Sequence, residues 1–171
     1  MAETKERSIV DHVVQVRRVT KVTSGGKRFS FSALVVSGDQ QGNVGIGTGK
    51  SREVSSAIAK ATNRARKRMD AFPLRGTTLP YPVIGQHGAS KVVLRPAYKG
   101  TGVIAGGAVR LIMEALGVKD VLAKSVKSGN PQNVTKAVLN ALAQLRSASH
   151  LAKMRNTTIK DMIGSTHGKS A

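Results

Sequence analysis

The stretch VGIGTGKSRE, residues 44–53, alternates glycines and then presents Lys50 and Ser51 where β-favouring residues give way to a helical pattern. Glycines before a helix clear bulk around its first N–H groups, whose partial positive charge attracts phosphate. The nucleotide-binding form of this chemistry, G-x-x-x-x-G-K-[ST], is anchored here on Gly49, Lys50 and Ser51, and its first glycine falls on Val44. Gly45 is one residue out of register. The preceding strand reads as short and antiparallel, and no later apolar strand ends in an acid suited to magnesium. What remains is a helix N-terminus with Lys50 and Arg52 as cationic heads, suited to a larger polyanion.

A second glycine-rich turn, Gly100-Thr101-Gly102-Val103-Ile104-Ala105, satisfies the dinucleotide fingerprint G-x-G-x-x-[GA]. The acid that should close the next strand is missing, because Asp120 precedes its strand and Lys127 ends it. Gly100, Gly102, Gly106 and Gly107 then read as tight turns and points of close backbone approach. His12, His87, His150 and His167 stand alone, with no carboxylate or cysteine at ligand spacing. No carboxylate pair or activated nucleophile suggests itself, so neither an enzyme, a cofactor nor a metal is expected.

The charge balance names the polyanion. Lys and Arg number 28 against 9 Asp and Glu, a formal +19, which opposes compaction unless a nucleic acid neutralises it. An anionic membrane competes for such a charge, but no apolar run approaches the roughly 20 residues needed to span a bilayer. MAETKERS reads as neither signal nor transit peptide, and the lack of cysteine fits a reducing cytoplasm. Phe29, Phe31, Phe72, Tyr81 and Tyr98 are the only aromatics. Base-stacking platforms for single strands use more, which favours a folded, largely double-helical RNA or duplex DNA held by its backbone.

The elements that must position these groups follow from periodicity. IVDHVVQVRRV (9–19) and RFSFSALVVS (28–37) read as strands, the second with Phe29, Phe31, Ala33 and Val35 on one face. Gly25 and Gly26 turn between them, flanked by Lys21, Lys27 and Arg28. A short third strand, VGIGTG, leads to a helix from about Ser51 to Met69, with Val54, Ala57, Ile58, Ala61 and Ala65 as its apolar stripe. Arg64 and Arg68 lie off that stripe. Proline-rich FPLRGTTLPYP marks a junction. Then come a hairpin (VIGQHG, SKVVLRP), a helix from about Gly106 with Ala108, Leu111, Ile112, Ala115 and Leu116 inward, and the strand DVLAKSV. A last helix is capped by Asn130 and Pro131. The class is α+β: a β-β-β-α unit over residues 8–72, a linker over 73–79, a β-β-α-β-α unit over 80–147, and a polar tail over 148–171 that is extended or briefly helical.

VTKVTSGGKRFSFSALVVSGD, GTGKSREVSSAIAKA, KGTGVIAGGAVRLIMEALGVKDVLAKSVKSGNP and NVTKAVLNAL resemble the bacterial form of the small-subunit ribosomal protein S-five family, over about residues 8 to 146. The resemblance implies an N-terminal domain like a double-stranded-RNA-binding domain and a C-terminal domain on a four-stranded sheet. It implies binding to small-subunit ribosomal RNA, contact with ribosomal proteins S-four and S-eight, and roles in assembly, decoding fidelity and the mRNA entry channel. The hairpin matching Thr20 to Arg28 is, in that family, the loop near which spectinomycin acts. The chain departs from the family's usual pattern at Ser24, Asn43, Ile46, Thr48 and Ser55. The RNA-binding set expected is Arg17, Arg18, Lys21, Gly25, Gly26, Lys27 and Arg28 at the first hairpin, with Lys50, Arg52, Arg64 and Arg68 at the first helix. Lys99, Gly100, Gly102, Gly106, Gly107 and Arg110 follow at the second glycine turn, and Lys124 and Lys127 on the strand after it. A free-standing double-stranded-RNA-binding regulator and a nucleotide-dependent enzyme are the alternatives.

Overall fold

The computed structural model describes residues 9–159 and 161. β1 (Val10–Thr23), β2 (Gly26–Gly38) and β3 (Asn43–Ser51) form an antiparallel meander, with β4 (Asp70–Ala71) pairing Asn43 and Val44 at its far edge. β1 and β2 close through Ser24 and Gly25, and Gly26 opens β2 at φ +127°, a conformation that side-chain-bearing residues avoid. Asp39 closes the β2–β3 turn by accepting from the Gln41 and Asn43 amides at 2.8 and 3.0 Å.

The glycines of VGIGTGKS belong to β3 itself and not to a loop. Residues two apart on a strand share a face, so Gly45, Gly47 and Gly49 all point toward α1 (Val54–Lys67). A Cβ on them would lie 2.3, 2.0 and 2.2 Å from the carbonyl oxygens of Ala65, Ala61 and Ala57. The strand therefore runs on to Ser51, and the helix begins at Val54 rather than Ser51. Its N-cap, Glu53, makes no side-chain capping bond. The expected glycine-opened, phosphate-facing helix mouth is thus replaced by a strand that lets a helix lie close upon it.

Two packing expectations also change. Phe29 lies beyond the reach of α1 and is 47% exposed, with the Arg18 guanidinium stacked 3.7 Å from its ring centre. Leu34, expected on the half-open face, is buried at 4% because the second unit covers that end of the sheet.

The second unit comprises β5 (Val83–His87), β6 (Ser90–Pro96), β7 (Val103–Ile104), α2 (Gly107–Leu116), β8 (Val121–Lys127), α3 (Pro131–Leu142) and α4 (Ala148–Met154). Its sheet order is β5-β6-β8-β7, and β7, too short to read from periodicity, runs parallel to β8 across the α2 crossover. Asn130 caps α3 by accepting from the Gln132 amide, and Gly117 ends α2 at φ +90°. Val109 and Met113 join Ile112, Ala115 and Leu116 in the interior, a wider stripe than periodicity indicates, because α2 is packed by both units.

One core spans the two units: Val36 of β2 and Val44 of β3 pack with Leu79 and with Leu116 of α2. The β2–β3 turn caps the end of α2, where Gln40 N donates to Ala115 O and Gly42 N to Leu116 O, each at 3.0 Å. The connecting segment 73–79 is itself packed. Leu79 is fully buried, and the Thr77 carbonyl accepts from the Lys119 and Asp120 amides. Within the expected tail, residues 148–154 form α4. Residues 160 and 162–171, like the opening MAETKERS and His167, lie outside the described residues.

Candidate nucleic-acid interface

Among the described residues only two ion pairs form, Arg66 with Asp11 and Arg110 with Glu114. The first fastens α1 to β1. Burial opposes ionisation of Asp11, but the Arg66 guanidinium and the Ser37 hydroxyl outweigh it and hold the carboxyl below its usual value. Every other cation of the expected set pairs with no carboxylate among the described residues, and all of them are exposed.

Register places the N-terminal cations. Arg17 pairs with Ser32 and Ser32 with Lys50, so Arg17 and Lys50 flank one row on the sheet face away from α1. Lys21 and Arg28 pair directly and, by the period of two, stand on that same face nearer the hairpin tip. Lys27 and Arg18 occupy the α1 face beyond the helix. Arg52 sits in the bend between β3 and α1. Arg64 turns back to donate from Nη1 to the Thr48 carbonyl at 2.8 Å, covering an edge of β3 that lacks a strand partner. Gly25 leaves open space at the tip, roughly 40 Å along β2 from Gly38 at about 3.3 Å per residue.

In the second unit Asp120 organises the glycine turn. Its buried carboxylate accepts from the Gly100 and Gly102 amides at 2.9 and 3.1 Å. Those donors, Gly102 foremost, with the Thr77 hydroxyl, hold its pKa below the usual 3.8. Gly100 and Gly102 need their glycines, at φ +94° and +78°. Gly106 and Gly107 do not: an added Cβ there meets nothing within 4 Å among the described residues, so those residues make no demand for close approach. Lys99 is exposed beside the turn, and Arg110 is partly committed, donating to the Val103 carbonyl at 3.2 Å.

The expected C-terminal set is not one cluster. Lys99 to Arg110 gather where β7 meets the start of β8, whereas Lys127 ends β8 about 20 Å away at the usual rise. Lys124 stands between them on the uncovered sheet face, next to Val93 of β6. Lys136 of α3 stands outside the expected set. It lines a cleft with Arg64 and Arg68, and its only signal in the sequence was a cation off the helix's apolar stripe, one turn after Gln132. Among the described residues no group of three His, Asp or Glu side chains could hold a metal ion, and no helix is long and apolar enough to cross a membrane.

Comparison with known proteins agrees with this two-unit division. Residues 9–73 match the family described as ribosomal protein S5, N-terminal domain, and residues 85–155 match ribosomal protein S5, C-terminal domain. The small ribosomal subunit protein uS5 of Lawsonia intracellularis is 52% identical over 158 residues, 92% of this chain and 97% of its own. Its counterpart in Nitrosococcus oceani is 47% identical over 168 residues, covering 96% and 99%. That of Syntrophobacter fumaroxidans is 48% identical over 160 residues, covering 94% and 96%.

Proposed function

The chain belongs to the ribosomal protein S5 family, and we propose that it holds folded small-subunit ribosomal RNA by its phosphates, chiefly along the sheet face that α1 leaves free. It is a non-enzymatic, structural constituent of the bacterial small ribosomal subunit, in the cytoplasm. The observation that carries the mode of binding is the row Arg17–Ser32–Lys50, continued by the Lys21–Arg28 pair, with no carboxylate among the described residues paired to it. A sheet face bearing cations and few aromatics suits backbone contact with structured RNA better than base stacking. The proposal extends to the rest of the expected RNA-binding set, including the turn from Lys99 to Arg110, as contacts apart from this face.

The proposal includes finer roles, which family membership supports. Contacts with ribosomal proteins S-four and S-eight are supported by the strip of exposed aliphatics on the open face of the second sheet, Ile84, Ile104, Leu122 and Val126. A part in subunit assembly, in translational accuracy and in the mRNA entry region, and the placing of the Thr20–Arg28 hairpin near the spectinomycin site, rest on the family alone.

The test is binding of the purified chain to small-subunit rRNA across a salt series. Phosphate contacts release counterions, so log affinity falls linearly with log salt. Joint replacement of Arg17 and Lys50 by Ala is expected to lower that slope by about 2 without unfolding the protein. An unchanged slope and affinity would take the sheet face out of the interface.

A further inference from the structure

The geometry points to a second RNA contact: the cleft between the two units is a groove for a single run of ribose–phosphate backbone, gripped from both sides. This rests on the reading that the chain binds ribosomal RNA, and it adds Lys136 of the second unit to the contact set.

The cleft has a volume of about 590 Å³. Arg64 and Arg68 reach into it from α1 around the edge of β3, and Lys136 reaches in from α3 of the other unit. Asp70 is the one carboxylate at its wall among the described residues, so the three cations outnumber it. Leu34, Ile46 and Leu139 make an apolar lining. A smaller recess of about 220 Å³ shares Leu34 and Gln132 with the cleft and adds Arg17, Ser32 and Asn130. The two recesses thus continue the cationic face of the sheet, from Lys21–Arg28 through Arg17–Lys50 to Lys136.

Size and chemistry select the occupant. A space within the range of about 300 to 1,000 Å³ takes a group the size of a nucleotide or two, not a duplex. Two guanidinium forks and an ammonium, with the Gln132 amide near, match phosphate oxygens. A peptide would most readily enter by adding a strand to the free edge of β3. At Thr48 that edge is already taken, because the carbonyl accepts from Arg64 Nη1 at 2.8 Å. A strand seated here would touch α1 and α3 at once, and so would fix the two units against the same stretch of RNA.

Lys136 is exposed, so its replacement should leave the fold intact. The experiment compares the full chain, Lys136→Ala with Arg68→Ala, Lys136→Arg, and a hairpin variant, Lys21→Ala with Arg28→Ala, in salt-dependent binding to small-subunit rRNA and in reconstitution of the subunit. The cleft pair is expected to lower the salt slope by about 2, as the hairpin pair does, while Lys136→Arg keeps the parent slope. A slope unchanged by the cleft pair but lowered by the hairpin pair would overturn the groove and leave RNA binding standing. Full RNA affinity in the cleft pair with loss of a neighbouring ribosomal protein from reconstituted subunits would assign the cleft to a protein and overturn it too. Absence of rRNA binding by the parent chain would remove the underlying reading, and the groove with it.

Discussion

Gly47 of β3 lies so close beneath Ala61 of α1 that a Cβ on the glycine would stand 2.0 Å from the alanine's carbonyl oxygen. The opposing atom is backbone, which cannot rotate away as a side chain can. Gly47→Ala must push the helix off the sheet and loosen the Ala33, Val35, Ala57 and Ala61 cluster. Overpacking of this kind costs about 2 to 3 kcal/mol. A fall of that size in unfolding free energy from a urea titration is expected, and an unchanged midpoint would show that the helix can stand further out at no cost.

The joint between units can be probed at Gly38, where a Cβ would meet the Ala115 carbonyl oxygen at 2.1 Å. That carbonyl also accepts from Gln40 N. Gly38→Ala should break this cap, and faster amide hydrogen exchange at Gln40 and Gly42 is the expected signature. Exchange as slow as in the parent would mean that the joint yields elsewhere.

Asp120 gives the glycine turn an acid limit. Its folded pKa lies below the ordinary 3.8, so its contribution is complete above that value and is lost as pH falls through the folded one. The Gly100 and Gly102 amides should therefore lose protection only below about pH 4. Asp120→Asn should weaken their protection at neutral pH and remove this pH dependence. Amide exchange followed by NMR across the acid range reads both effects, and an unaltered acid profile in the variant would contradict the assignment.

Gly107 opens α2, and no described residue comes within 4 Å of where its side chain would stand. Gly107→Ala removes backbone freedom from the unfolded chain, and the isolated protein should be as stable or more so, by about 0.4 to 1 kcal/mol. Unimpaired stability with poor incorporation into reconstituted subunits would locate the demand for glycine in the partner. A drop in the thermal midpoint of the free protein would place it within the chain instead.

Most elements were legible in the residues, because hydrophobic period and caps act locally. Asn130 followed by Pro131, and Gly117 after Leu116, marked α3 and the end of α2 by chemistry that operates within one turn. Position 44–53 misled for a physical reason: glycine serves equally to clear a phosphate loop and to admit a helix against a strand. The period of two in Gly45, Gly47 and Gly49 carried the second meaning, and the alanines at 57, 61 and 65 were its counterpart. β4 and β7 were illegible because two residues show no periodicity. The burial of Leu34 and the cleft at Lys136 depend on how one unit lies against the other, which neither segment encodes alone. The basic character of the surface was readable from charge. The distribution of its cations over a sheet face, a glycine turn and a cleft was not.

The shared core also bears on the order of events during synthesis. Val36 and Val44 leave the polymerising machinery early, yet the surfaces that bury them, Leu79 and α2 with Leu116, follow much later in the chain. The meander can pair its strands and seat α1 at once, since those contacts are local. Until α2 emerges, however, one end of its second face stays wet and the Gln40 and Gly42 amides lack their acceptors. The N-terminal half is therefore born incomplete, and a nascent chain stalled before Leu116 should present that apolar end to chaperones rather than to RNA.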